Sequence, residues 1–145
     1  MEGMSVIVKK VVQLLSAMIF VFGMYIITHG HVLPGGGFSG GVLLASSFIV
    51  LILAQGKEYF QLKKQREATS LVESLSALLI LLLGISGLFA GSLILFNNYL
   101  PKGQPGELLS AGNIPIYSIL IGIKVAATLF TIFLALTIYK EEVSK

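Results

Sequence analysis

The sequence predicts an all-α fold: an integral membrane protein with four transmembrane helices and both termini cytoplasmic. Three observations predict it. Of the 145 residues, 55% are hydrophobic and 12% charged, whereas soluble domains carry about 25% charged residues. Mean hydropathy is +0.91, and the apolar residues gather into four long runs. The basic residues flank those runs unevenly.

The runs cover about 6–28, 38–54, 71–96 and 114–139, and a helix crosses the hydrocarbon core with about 20 residues. The first carries Lys9-Lys10 near its start, is apolar from Val11 onward and ends at Thr28-His29-Gly30-His31. It is longer than the apolar region of about 7–15 residues in a signal peptide and lacks a small-residue cleavage site, so we read it as a retained helix. The second run is the shortest and starts at the Gly-rich stretch. The third follows the charged segment Gln61–Glu67, and the fourth follows a segment rich in Asn, Pro and Gly. No run carries the polar stripe of a surface-lying helix. The four spans make one transmembrane domain, residues 1–145, with no internal repeat.

Orientation follows from the loops. Four spans place the termini and the middle loop on one side, with Lys9, Lys10, Lys57, Lys63, Lys64, Arg66, Lys140 and Lys145. The other side holds Lys102, and the tenth basic residue, Lys124, lies inside the fourth span. The positive-inside rule then makes the termini cytoplasmic. The same distribution excludes a nucleic-acid surface, because the basic residues flank apolar runs.

Composition excludes further classes. The chain has no cysteine, which rules out disulfides and Cys-ligated zinc or iron–sulfur clusters. Two histidines do not build a protein-only metal site, so no metal and no cofactor are expected. No nucleophile–base set is visible, so the chain is not an enzyme by itself.

Lys124 is the most informative single residue. It lies some ten residues into the fourth span, about 15 Å from Ile114 along the axis. A charge at such depth costs about 2.5–3.5 kcal/mol on insertion scales and faces protein or water. One reading places it in an ion or proton pathway; the other lets its stem snorkel past Gly122 towards the outer surface. The depth favours the first. The nearest carboxylate, Glu73, is expected at the cytoplasmic end of the third helix, so the counter-charge to Lys124 is expected on another chain. Ser70 and Glu73 fit a capping box at that helix start, and Glu73 is also a candidate for the ion entrance. His29 and His31 sit at the outer edge; His31 is a candidate for a proton route, against the plainer reading of interfacial histidines.

The most distinctive segment is Leu33-Pro34-Gly35-Gly36-Gly37-Phe38-Ser39-Gly40-Gly41. It lacks the Lys-Ser/Thr ending of a phosphate loop. Pro34 ends the first helical segment. Gly36/Gly40 and Gly37/Gly41 have small-xxx-small spacing, which lets helix backbones approach closely, and Gly87/Gly91 repeat it in the third helix. Packing is the favoured reading; an irregular backbone lining a protein-covered cavity is the alternative.

Here a family resemblance becomes specific. Gly30, His31, Pro34, Gly35, Gly36, Gly37, Phe38, Gly40 and Gly41 match, position by position, a pattern similar to Gly-His-x-x-Pro-Gly-Gly-Gly-Phe-x-Gly-Gly. That pattern resembles the one in the B-type subunits of Mrp-type multisubunit sodium/proton antiporters, a family that includes the related subunits of archaeal membrane-bound hydrogenase and sulfane sulfur reductase complexes. Ser39 stands where glutamine or a similar residue is expected. Ile114-Pro115-Ile116-Tyr117 and Ile121-Gly122-Ile123-Lys124-Val125 look like the family's last helix. The resemblance implies a non-catalytic, multi-pass subunit in a prokaryotic cell membrane. Its implied partners are other Mrp-like subunits and the lipid bilayer, with Na+ and H+ as the transported ions. The complex would be a free-standing antiporter or a larger oxidoreductase. Its ion-route candidates here are Lys124, Glu73 and His31; a purely structural scaffold is the alternative.

Overall fold

In the computed structural model, residues 4–56, 62–89, 94–104 and 110–143 are described. They form four helices: α1 (Val6–Thr28), α2 (Gly36–Gln55), α3 (Leu62–Phe89) and α4 (Ile114–Val143). All four are long and apolar enough to span a bilayer, so the chain is an all-α membrane protein. Helices suit this solvent because each satisfies its own backbone polar groups where no water can.

α1 starts at Ser5, whose hydroxyl accepts from the Val8 amide at 3.4 Å, an N-cap of the ordinary kind. Pro34 and Gly35 separate α1 from α2. Gly35 has φ +93, a left-handed conformation that a Cβ disfavours, and its carbonyl accepts from the Ser39 amide at 3.3 Å.

α3 departs from the sequence expectation at both ends. It begins at Leu62, so Ser70 and Glu73 lie inside it and no capping box exists; the Ser70 carbonyl instead accepts from the Ser74 hydroxyl at 3.0 Å. The charged stretch lowers hydropathy and so reads as a loop, yet Leu, Lys, Gln, Arg, Glu and Ala are good helix formers. α3 then ends at Phe89, although the apolar residues continue to Phe96. Ile94–Asn98 instead fold back on the helix. The Phe96 amide donates to the Gly84 carbonyl at 3.1 Å, and Asn97 lies against Gly87.

A side-chain clamp holds this returning segment to the start of α4. The Asn98 amide donates to the Ala111 carbonyl at 2.9 Å, and its Oδ1 accepts from the Asn113 backbone amide at 2.8 Å. Asn113 is 1% exposed and reaches back to the Asn97 carbonyl. Ala111 and Gly112 have φ 72 and 67, and a Cβ on Gly112 would strike the Asn98 side chain. Asn98→Ala removes both bonds and strands a buried backbone donor. Its expected cost is about 1–3 kcal/mol, read as a lower thermal midpoint in detergent. An unchanged midpoint would mean that the clamp contributes nothing.

The helices pack in the order α1, α2, α4, α3, with a minor contact between α1 and α4. α2 is the most enclosed, with 44% of its span buried against 17% for α1 and α3. α2 and α4 share the core of Ile52, Phe130 and Leu134. An aromatic chain crosses three helices: Phe20 meets Phe48 edge-on at 5.7 Å, and Phe48 meets Phe130 at 5.8 Å. The outward faces of α1 and α3 are apolar and exposed, for example Val11, Leu14 and Met18, and Leu75, Leu78 and Leu82. In a bilayer such faces meet lipid or neighbouring helices without a desolvation cost.

Candidate functional site

Two helix contacts hold the residues that the sequence singled out, one on each of two faces of α4. The first is built on the Gly-rich start of α2. A Cβ on Gly37 would strike the Ser118 carbonyl of α4, and one on Gly41 would lie 2.5 Å from the Gly122 carbonyl. On the α1 side, a Cβ on Gly40 would meet Ile27 Cγ1 at 2.5 Å and the Gly23 carbonyl at 2.9 Å. Gly30, in the α1–α2 turn, leaves no room for a side chain beside the Ser118 hydroxyl. The start of α2 is thus wedged between α1 and α4 at backbone contact. Ile27, 3% exposed, fits between Gly40 and Gly122.

Not every residue of the motif joins that wedge. Pro34 and Gly35 are exposed, and Phe38 is 62% exposed, so within this chain they pack on no other helix. Gly36 touches the Gly30 carbonyl, and Gly87 faces the Asn97 backbone instead of a helix. Gly91 lies outside the described residues. The partners Ser118 and Gly122 are not among the residues that the sequence singles out for packing, although Ser118-x-x-x-Gly122 has the same small-xxx-small spacing.

The second contact is the seam between α3 and α4, and it carries the ionisable residues. Its register is set by Thr131, whose hydroxyl donates to Thr69 Oγ1 at 2.9 Å. Helices that meet antiparallel there place Ser76 level with Lys124, each seven residues away, about 10 Å along the axis. Residues seven apart share a helix face. Lys124 therefore points the way Thr131 points, towards α3, and so does Tyr117, seven residues beyond it. On α3 the matching stripe is Gln65, Thr69, Glu73 and Ser76.

Ser76 is 4% exposed, and Lys124 and Glu73 are half-buried. Glu73 stands only three residues, about 4.5 Å, below the level of Lys124. Glu73 thus stands nearer to the level of Lys124 than the sequence reading expected, because α3 begins at Leu62 and not near Leu71. Among the described residues the two charges nonetheless form no ion pair. The reason is geometric. Side chains lean towards the N-terminus of their own helix, and these helices are antiparallel, so Lys124 leans towards the α3–α4 loop and Glu73 towards the termini.

The seam has further polar atoms. The Thr128 hydroxyl donates to the Lys124 carbonyl at 2.9 Å. Among the described residues, Gln65 Oε1 and the Tyr117 hydroxyl are buried and meet no hydrogen-bond partner. Lys124, Thr128 and Thr131 stand at i, i+4 and i+7, a signal legible in the sequence once Lys124 is noticed.

The histidines lie elsewhere. His29 ends α1, stacks on Tyr25 at 4.2 Å and has Nδ1 3.0 Å from the Tyr25 carbonyl. His31 is half-buried in the α1–α2 turn, next in sequence to Gly30, which meets Ser118. No cluster of three His, Asp or Glu residues is assembled among the described residues.

Fold and site together define a multi-pass helical membrane protein with a half-buried lysine inside its fourth span. Residues 7–131 match the family described as a domain related to the MnhB subunit of Na+/H+ antiporters, and the chain belongs to that family. It is 36% identical over 147 residues to an uncharacterised protein of Methanocaldococcus jannaschii, covering 96% of this chain and 56% of that one. It is 39% identical over 54 residues to a putative antiporter subunit, mnhB2, of Staphylococcus epidermidis, covering 37% of this chain and 38% of the relative. Among solved structures, it resembles a chain of the membrane-bound sulfane sulfur reductase, an archaeal respiratory membrane complex. The TM-score is 0.73 at 33% identity, covering 91% of this chain and 57% of the other. The chain thus spans little more than half the length of the M. jannaschii relative and of the reductase chain.

Proposed function

We propose that this chain is a non-catalytic membrane subunit of an Mrp-type sodium/proton antiporter module, and that its α3–α4 seam forms part of the ion route. The module is either a free-standing antiporter or the membrane arm of a redox-driven complex of the hydrogenase or sulfur-reductase type. Membership of the MnhB-related family and likeness to a chain of a respiratory membrane complex support the setting. The partners are then other Mrp-like membrane subunits, and the ions are Na+ and H+. The loop-charge bias supports both termini in the cytoplasm, and likeness to archaeal and bacterial proteins supports a prokaryotic plasma membrane.

One inference from register carries the ion role: with Thr131 bonded to Thr69, helical periodicity puts Lys124 and Glu73, both half-buried, on facing stripes of α4 and α3, and no ion pair joins them among the described residues. A buried ion pair held at rest is a structural tie. Two half-buried charges within a turn of each other, leaning apart, are groups that an ion or water can address separately. His31, in the α1–α2 turn, is at most an outer-edge contributor. The test is Lys124→Ala in the assembled complex, scored for exchange and for subunit yield.

A scaffold reading is favoured by a different observation, the backbone-tight wedge of Gly37, Gly40 and Gly41, which needs no ion chemistry. Normal exchange in the lysine variant, with normal yield, would leave that reading alone standing.

A further inference from the structure

We propose that the open face of α2 and α4 beside Lys124 seats a transmembrane helix of a partner subunit, and that this helix carries a carboxylate at the level of Lys124. This rests on the membrane-complex setting proposed above and not on the ion route. It adds which face of the chain the partner covers and what chemistry it brings.

The helices make an open row. α2 and α3 flank α4 and have at most a marginal contact with each other. α2 and α4 run in the same direction, because Gly37 meets Ser118 and Gly41 meets Gly122. Seen from their starts, both wind clockwise by about 100° per residue. On α2, the contact with α1 at Gly40 comes first, and the contact with α4 at Gly37 and Gly41 follows. Phe38, Val42 and Leu53 come next in the same sense, so their stripe lies on the side of the α2–α4 plane opposite α1. On α4, that side is reached anticlockwise from Ser118 and Gly122, and it carries Ile121 and Ile132. All five apolar side chains are exposed. Lys124 falls on α4 between Ile121 and Thr131, which bonds to α3. The lysine therefore borders the open face.

Charge decides the occupant. Lipid tails cover an apolar stripe without cost, but they offer nothing to an ammonium some ten residues inside a span. Charged side chains at such depth pair with one another or meet water. Among the described residues Lys124 has no ion-pair partner, and Glu73 leans away from it towards the termini. A helix laid along Phe38, Val42, Ile121 and Ile132 passes the lysine on its open side. A carboxylate there meets the ammonium where no water competes, and one such polar pair fixes the depth and register of an otherwise apolar contact.

The test uses the full complex in its membrane. The photo-reactive residue p-benzoylphenylalanine replaces Ile121, and mass spectrometry of the irradiated, purified complex locates its adduct. The expected adduct joins a span of another subunit that carries an Asp or Glu at this depth. Lys124→Glu is then expected to lower recovery of the subunit in the complex about tenfold or more, because like charges meet across the contact. Changing the mapped acid to Lys restores recovery. Lys124→Ala leaves recovery near normal, since a carboxyl left alone in an apolar site takes up a proton. Adducts with lipid alone, with a second copy of this chain alone, or with a span that has no acid at this level overturn the docking face. So does a mapped exchange that fails to restore recovery. Restoration of Lys124→Glu by Glu73→Lys makes the pair internal and overturns it as well. None of these outcomes touches the ion route, which stands or falls on exchange by Lys124→Ala.

Discussion

On the ion-route proposal, Lys124→Ala is expected to remove most sodium-for-proton exchange by the assembled complex while the subunit remains in it, because an ionisable residue inside a membrane span marks an ion pathway. The physical case has two halves. An ammonium at bilayer depth costs about 2.5–3.5 kcal/mol to insert, so its removal relieves the membrane-embedded state, and lost activity does not trace to lost insertion. The seam around it holds Glu73 within one turn, and removing the lysine leaves that carboxylate as the charge facing the route. A single-sign site binds its counter-ion without the alternation that exchange needs. Lys124→Arg keeps the charge but adds a planar, permanently protonated head, and is expected to restore part of sodium conduction and little of proton exchange. Both are measured in inverted vesicles as sodium-dependent decay of a pH gradient, with subunit yield from the purified complex as the control. Full exchange in Lys124→Ala would end the ion-route reading.

The second large effect concerns Gly37. Its substitution by alanine places a methyl group on the Ser118 carbonyl, backbone against backbone, where no rotamer change makes room. α2 must move off α4, and in lipid such contacts are held by close packing instead of a hydrophobic driving force. Overpacking in soluble cores costs about 1–3 kcal/mol, and a backbone collision belongs at the top of that range. The glycines should therefore rank. Gly37→Ala is worst. Gly41→Ala, 2.5 Å from the Gly122 carbonyl, comes second, and Gly87→Ala, 3.1 Å from the Asn97 amide, is mildest. The ranking is read from thermal unfolding of the subunit in detergent and from its recovery in the complex. Equal losses at Gly37 and Gly87 would contradict the wedge.

Much of this protein was legible before any coordinates. Membrane insertion depends on the mean hydropathy of about 20 consecutive residues, a local property, and so the four spans, the all-α class and the start of α1 at Val6 follow from the chain alone. The Gly-rich segment could be identified as a place of close approach, because its spacing is a property of one helix. The bounds of α3 were not legible. Hydropathy marks where a helix leaves the lipid, and the charged residues before Gln65 continue the same helix beyond that point. At the other end the apolar run outlasts the described helix, and the contact of Phe96 with Gly84 and the Asn98 clamp hold Ile94–Asn98 against α3 and the start of α4.

By itself, then, the sequence determined how many times the backbone crosses the membrane, which residues lie at depth and which family pattern the first turn follows. Tertiary structure decided what those residues meet. That Gly37 faces Ser118, that Thr131 bonds to Thr69, and that Phe96 lies over Gly84 are pairings between segments far apart in the chain. They are set by the antiparallel register of α3 and α4 and by the approach of α2. Helical periodicity states which side chains share a face of one helix, and no rule of periodicity states which face of another helix lies opposite.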